Sequence, residues 1–343
     1  MSVFVIAEAG VNHNGDDALA LQLVEVAAAC GADAVKFQTF SAKNLVAPGA
    51  EKAEYQKKAT GDGDQYSMLK ALEMSASLHE KLFRRCSELG IEFMSTPFDE
   101  EAVDFLIELG MRRIKIPSGE ITNLPFLEFL AGKGLPLILS TGMASLEEIQ
   151  SAVDVIADCR TRLGYEEPLA EVLTILHCTS NYPANYEDVN LRAMRTIGDA
   201  TGLPIGYSDH TLGVLVSTAA VALGASVIEK HFTLDKGMPG PDHKASLDPD
   251  ELRQMVRHIR DVETVLGSAV KQPAASELPV RSLVRRSVTI TRKIDAGAVI
   301  RRDDLGLLRP GTGISPGDVG SVAGRVAKRD LAPGTTLQWD DLI

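Results

Sequence analysis

Two histidines close two apolar runs of the chain. LPIGYSDH ends at His210, and in ASVIEKHFT the residues Val227 and Ile228 lead through Glu229 and Lys230 to His231. Two neutral imidazoles on neighbouring strand ends suit a six-coordinate Mn2+ or Mg2+ completed by water and substrate oxygens, with imidazole favouring Mn2+. An ion held there polarises an aldehyde oxygen as a Lewis acid. The alternative is a pair of packed histidines. A second set comprises Lys36, Thr96, Lys115, Ser118, Ser140 and Ser208. Two ammonium groups and four short hydroxyls suit the oxygens of a small phosphorylated carboxylate. For any single serine, a turn-forming role stays open. Two lysines also leave open a Schiff-base aldolase, in which a desolvated lysine attacks a carbonyl. Gln38 near Lys36, and Ser118 and Glu120 after Lys115, favour charged anion binders instead. A third reading keeps the same groups in a sugar-binding protein without catalysis. Of the other histidines, His79 and His258 fall in helical stretches and are expected at the surface. His13, in NHNG, suits a loop-ordering hydrogen bond, and His177 a packed or supporting role.

Positioning these groups on one face requires a particular frame. Short apolar runs at 3–10, 32–39, 91–98, 112–120, 135–143, 172–180, 203–210 and 225–233 each begin apolar and end polar. Stretches of helical period separate them. SLEE at 145–148 is a capping box, and Asp248 followed by Pro249 marks another helix start. DEEAVDFLIELG and LGVLVSTAAVALGA are of helical length and end near glycine. Eight strands alternating with helices over about 250 residues predict a (β/α)8 barrel, whose strand C-termini gather at one rim. A doubly wound sheet would show a glycine-rich phosphate turn after its first strand, and no GxGxxG occurs there.

Composition bounds the setting. The 343 residues carry a net charge of −12 and are 45% hydrophobic, which argues against nucleic acid or an anionic membrane surface as partner. No apolar run approaches the roughly 18–20 residues of a membrane span. MSVFVIAEAG lacks the basic start of a signal peptide. Cys30, Cys86, Cys159 and Cys178 show no CxxC spacing, so reduced thiols in a cytoplasm are expected.

The domain division expected is a barrel over 1–270, a linker at 271–283 and a small β-rich domain over 284–343. If extended, the linker reaches roughly 40 Å. In the last domain IDAGAVIRRDDL (294–305) and LAPGTTLQWDDL (331–342) repeat one spacing, with a glycine suited to a turn and DDL suited to a short helical cap. Between the copies, LLRPGTGISP carries Arg309 ahead of a Pro-Gly turn.

With these motifs in view, the chain resembles the sialic acid synthase family along nearly its whole length. IAEAGVNHNG, AVKFQTF, STPFD, KIPSGE, LSTGM, HCTSNYP, GYSDHT, IEKHFTLD and GPDH match in order, and RPGTGISP with its flanking repeat matches the SAF (antifreeze-like) domain. The resemblance implies a metal-dependent condensation of phosphoenolpyruvate with N-acetylmannosamine, giving N-acetylneuraminate and phosphate with cleavage of the C–O bond. The alternative within the family is N,N'-diacetyllegionaminate synthesis from 2,4-diacetamido-2,4,6-trideoxymannose. It implies that Lys36, Thr96, Lys115, Ser118, Ser140 and Ser208 bind phosphoenolpyruvate. His210 and His231 are then the metal ligands. Gln38, Glu120, Tyr182 and Asp242 hold the open-chain sugar, and Glu8 is an essential acid. It further implies that Arg309 acts in the partner's barrel of a domain-swapped homodimer. Ser180 stands where some members carry Asn. The long segment at 41–65 is expected to shape substrate choice. VKFQTF, KAEYQKK and GPDH resemble the N-acetylneuraminate and legionaminate branches more than the pseudaminate branch.

Overall fold

The computed structural model describes residues 2–343, with the side chains of residues 55, 58 and 59 left aside, two of them within KAEYQKK. The eight apolar runs form β1 (Phe4–Gly10), β2 (Ala34–Thr39), β3 (Glu92–Pro97), β4 (Ile114–Ile116), β5 (Leu137–Ser140), β6 (Leu173–Cys178), β7 (Ile205–Asp209) and β8 (Val227–His231). All pairings are parallel. Their order is β3-β2-β1-β8-β7-β6-β5-β4. The end strands β3 and β4 lie against each other, so the sheet rounds into the expected barrel. Arg113 ties this seam, donating to both carboxylate oxygens of Glu92 at 2.7 and 3.0 Å.

Side chains alternate across a strand, and here the alternation sorts the barrel interior into layers. Ile6, Ala34, Met94, Ile138, Leu176 and Val227 form a buried apolar cluster. Two residues further along the same strands stand Glu8, Lys36, Thr96, Ser140, Cys178 and Glu229. The next layer of the interior is thereby polar, built on an apolar plug. Gly206 belongs to the plug, because a Cβ there would lie 2.4 Å from Val227 O and 2.5 Å from Leu176 Cδ2. The intervening residues, such as Val35, Phe37, Ile175 and Ile228, face the larger apolar core shared with the helices.

The helices start where their capping residues predict. Asp16, Ser75 and Asp99 accept first-turn N–H groups of helices Asp17–Ala29, Ala76–Leu89 and Glu100–Leu109. Ser145 with Glu148, and Asp248 with Glu251, complete capping boxes. Gly90 and Gly110, at φ 71° and 109°, end two of these helices in the left-handed conformation that glycine adopts without penalty. His79 corrects an expectation. It lies on helix Ala76–Leu89 as the period indicates, but on the buried face with Leu78, Leu82 and Cys86. Its Nδ1–H donates to Ser75 O, and Nε2 lies 2.8 Å from the Thr39 hydroxyl. The segment after β2 holds three short helices, Ala42–Leu45, Glu54–Thr60 and Gln65–Lys70. All four cysteines are buried and free. Among the described residues no helix is long and apolar enough to cross a membrane.

The chain divides into two compact units, one running to Gly267 and one from Ser268 to Ile343. Within the stretch read as a linker, residues 275–283 are helical rather than extended, and the helix runs on to Val284. In the second unit β9 (Ser287–Ile290) pairs antiparallel with β10 (Leu305–Leu308). The two repeat copies have equivalent structures. Their first residues, Ile294 and Leu331, exchange backbone hydrogen bonds of 2.9 and 2.8 Å. Gly297 and Gly334 turn the chain at φ 81° and 85°. Asp304 and Asp341 accept from the backbone N–H groups of Arg301 and Gln338 at 2.7 and 2.9 Å. Arg292 and Arg329 pair with the same two carboxylates. Arg309 is exposed, at the exit of β10. The loop after it is anchored by Ser287, which donates to Pro310 O and accepts from Gly313 N.

Candidate active site

At the C-terminal ends of the strands the polar layer opens into a cavity of about 550 Å³. Glu8, Lys36, Gln38, Thr96, Lys115, Ser118, Ser140, Tyr182, Ser208, His210, His231 and Asp242 line it. Their burial decides against solvated strand ends: Lys36 and Lys115 are each 3% exposed, and His210 and His231 each 6%.

The floor is an ion cluster. Lys36 Nζ lies 2.7 Å from Glu8 and 3.5 Å from Glu229, and donates to Thr96 Oγ1 at 2.7 Å. Lys115 Nζ lies 3.5 Å from Glu229 and donates to Ser140 Oγ at 2.7 Å. Ser208 donates to Glu229 at 2.8 Å. Burial works against every charge here, and proximity decides which survive. Burial alone would raise the Glu229 pKa, but Lys115 and Lys36 hold it down at about 2. Glu8 has the weaker share of lysine, so burial and the Glu229 charge push it up to about 7. Lys36 stays above its ordinary value because Glu229 and Glu8 outweigh its burial, whereas burial draws Lys115 below it. The two carboxylates compete for lysine, and Glu8 is the one that takes up a proton. The floor thereby has positive charge to spare for an anion, in a chain that is negative overall.

Above the floor, the His210 and His231 rings lie with centroids 5.5 Å apart at 50°. Nδ1–H of His210 donates to Thr179 O at 2.8 Å, which leaves Nε2 with its lone pair, the arrangement found in metal-binding histidines. Nδ1 of His231 is buried without a hydrogen-bond partner. Burial holds both imidazoles neutral, His231 well below its ordinary pKa. Neutral nitrogens with a lone pair, one of them orphaned, fit a divalent cation. Among the described residues no three His, Cys, Asp or Glu side chains are arranged to hold an ion, so water and substrate oxygens would complete the set. Tyr182 packs on His210, with ring centroids 4.1 Å apart. Gly10 at φ 53° is required beside the pair, since a Cβ there would lie 3.2 Å from the Glu8 carboxylate and 3.3 Å from the His231 ring.

Other expected residues sit at the rim. Gln38 donates to Glu8 at 3.3 Å. Ser118 Oγ accepts from Gly142 N at 2.9 Å and touches Cys178 Sγ at 3.2 Å. Asp242 is buried, which raises its carboxyl pKa to about 6. Glu120 does not line the cavity: it is half-buried on the turn Ser118–Glu120, and its carboxylate accepts from Asn123 at 2.7 Å. Arg309 belongs to the second unit. His13 orders its loop as expected, accepting from Gly15 N at 3.0 Å. His177 bonds Val189 O at 2.8 Å and does not line this cavity.

Two features of the site are not singled out by the sequence. Glu229 reads there only as a polar strand end, although Val227, Glu229 and His231 alternate on one face and period 2 alone aligns them. Phe40, Leu45, Met68, Leu69 and Phe98 line one side of the cavity with hydrocarbon.

The NeuB family description matches residues 23–271, and that of the SAF domain matches residues 285–343. The N,N'-diacetyllegionaminic acid synthase of Legionella pneumophila is 57% identical over 100% of this chain and 95% of its own length. The enzyme of the same name from Campylobacter jejuni is 47% identical over 95% of this chain and 96% of its own. A crystal structure of the N-acetylneuraminic acid (sialic acid) synthetase of Leptospira borgpetersenii superposes with a TM-score of 0.71 at 36% identity, covering 82% of this chain and 90% of that one. Fold, rim and relatives agree: the chain belongs to the NeuB family of sialic and legionaminic acid synthases and carries a C-terminal SAF domain.

Proposed function

We propose that this protein condenses phosphoenolpyruvate with 2,4-diacetamido-2,4,6-trideoxymannose, yielding N,N'-diacetyllegionaminate and phosphate. The observation that carries the reaction class is the buried floor of Lys36, Lys115 and Glu229 beneath two neutral imidazoles. The choice of sugar rests on the relatives at 57% and 47% identity. N-acetylmannosamine, giving N-acetylneuraminate, is the second reading, favoured by the likeness to the sialic acid synthetase structure.

In this reading Lys36 and Lys115, with Thr96, Ser118, Ser140 and Ser208, bind the carboxylate and phosphate oxygens of phosphoenolpyruvate. Buried ammonium groups and hydroxyls replace the water that such an anion loses on entry. His210 and His231 would hold a divalent ion, Mn2+ or Mg2+, whose chemistry when bound is to polarise the sugar's aldehyde oxygen. Gln38, Tyr182 and Asp242 orient the open-chain sugar so that its aldehyde carbon meets the enol carbon. As the C–C bond forms, positive charge develops at the phosphate-bearing carbon, which water attacks. Glu8, able to hold a proton at the floor near neutral pH, gives that proton to the former aldehyde oxygen as the C–C bond forms and, then ionised, receives the proton of that water. Glu120, facing Asn123 outside the cavity lining, is less well placed. Phosphate then leaves with its C–O bond broken.

Phosphate release from phosphoenolpyruvate should require both sugar and divalent ion. With 18O in the bridging position of phosphoenolpyruvate, the label should leave in phosphate. Release without sugar would overturn the condensation, and label kept in the keto acid would overturn cleavage of the C–O bond. Borohydride trapping of a lysine adduct would instead favour a Schiff-base lyase.

The assembly we propose is a domain-swapped homodimer with Arg309 reaching the partner's barrel. Residues 267–286 are exposed throughout and include Leu278, Val280 and Leu283, a segment suited to cover by a second copy. A mixture of inactive Arg309→Ala and inactive Lys115→Ala chains should recover activity once subunits exchange, since some mixed dimers hold one intact site. No recovery in a verified mixed dimer would rule out action in trans. The free buried cysteines support a reducing cytoplasm as its compartment.

A further inference from the structure

We infer that the hydrocarbon wall after β2 selects the sugar by its methyl groups, which makes Met68 and Leu69 specificity-determining residues. The inference rests on the condensation reading and adds the physical determinant of sugar choice. Phe40, Leu45, Met68, Leu69 and Phe98 line the same cavity as Lys36 and His231. They also pack as one cluster around Val11 and Leu72. Helix Gln65–Lys70 has no fully buried residue, so Met68 and Leu69 stay half-covered beside the cavity. The reacting carbons meet over the charged floor, and hydrocarbon contributes nothing to them there. The wall therefore meets the non-reacting end of the sugar.

The two candidate sugars differ at that end. The 2,4-diacetamido-2,4,6-trideoxy sugar carries methyl groups on both acetamides and at its sixth carbon. N-acetylmannosamine carries one acetamide methyl and has hydroxyls at the fourth and sixth carbons. A hydroxyl pressed on hydrocarbon loses its water partners and gains none, whereas a methyl there is favoured. Gln65 and Gln56, whose side-chain oxygen accepts from Ala53 N at 3.0 Å, line the same cavity and offer amide N–H groups to an acetamide oxygen.

The test is steady-state kinetics of Met68→Gln and Leu69→Gln with each sugar at saturating phosphoenolpyruvate. A methyl-sized difference in an apolar pocket is worth about 10- to 200-fold in discrimination. Each variant should raise KM for the diacetamido sugar by about 10-fold or more with kcat little changed, because uniform binding is what is lost. The ratio of kcat/KM between the sugars should fall by the same factor. An unchanged thermal shift with phosphoenolpyruvate would show that the floor is intact. Equal losses for both sugars, no change for the diacetamido sugar, or a wild-type preference for N-acetylmannosamine would each overturn the inference. Those outcomes leave the condensation standing. A wild-type enzyme that releases phosphate with neither sugar removes the condensation reading itself, and the wall's role with it.

Discussion

Glu229→Gln should lower kcat/KM for phosphoenolpyruvate by about 100-fold, since the loss of one positioned donor at a reacting group costs on the order of 100- to 1,000-fold. The carboxylate is 5% exposed and stands 3.5 Å from both lysines. Its loss acts chiefly on Lys115. Burial already draws that ammonium below its ordinary pKa, and Glu229 is the largest influence raising it. Without Glu229 the Lys115 pKa falls further, so the ammonium is lost at lower pH. The alkaline limb of the pH–rate profile should therefore move toward acid in the variant. Lys36 keeps Glu8 at 2.7 Å and should hold its charge. Full activity in Glu229→Gln, or an unmoved alkaline limb, would show that the cluster does not set the charge of Lys115.

The sequence displays Glu229 without ranking it above its polar neighbours. Ser208 and Asp209, or Glu229 and Lys230, are adjacent polar residues with opposite destinations. Ser208 and Glu229 meet inside the barrel, while Asp209 and Lys230 form a fully buried pair at 2.9 Å on the helix side. Composition treats the four alike, and only the strand phase separates them. The same holds for His79, whose helix was legible but whose face was not. By contrast, the eight strands and the capped helices were readable because each rests on local chemistry: apolar period, Asp or Ser at the first turn, glycine at the end. The repeat in the second unit was readable for the same reason, since Gly297 and Gly334 and the two DDL segments repeat both residue type and spacing. The hydrocarbon wall was hidden because Phe40, Leu45, Met68 and Phe98 come from four separate elements that tertiary packing alone assembles. Glu120 shows the converse: a matching motif position does not fix which way a half-exposed carboxylate turns.

His231→Ala should abolish condensation while leaving phosphoenolpyruvate binding intact, because the imidazole pair and the lysine floor are separate sets of groups. Lewis-acid stabilisation of a developing oxyanion is worth several kcal/mol, so the loss in kcat should be on the order of 1,000-fold or more. Calorimetric titration with Mn2+ should show affinity in the wild type and little in the variant. The thermal shift caused by phosphoenolpyruvate should persist in both, since Lys36 and Lys115 are untouched. Packed histidines would give a different pattern. Replacing a ring that only fills space next to Tyr182 and Gly10 would reduce stability and weaken both ligands together, leaving turnover measurable without added ion. His210→Ala should match His231→Ala in Mn2+ affinity and in turnover, because each removes one of the two imidazole nitrogens and leaves the lysine floor in place. If chelator-treated wild type, or either variant, turns over at the full rate, the two imidazoles hold no catalytic ion.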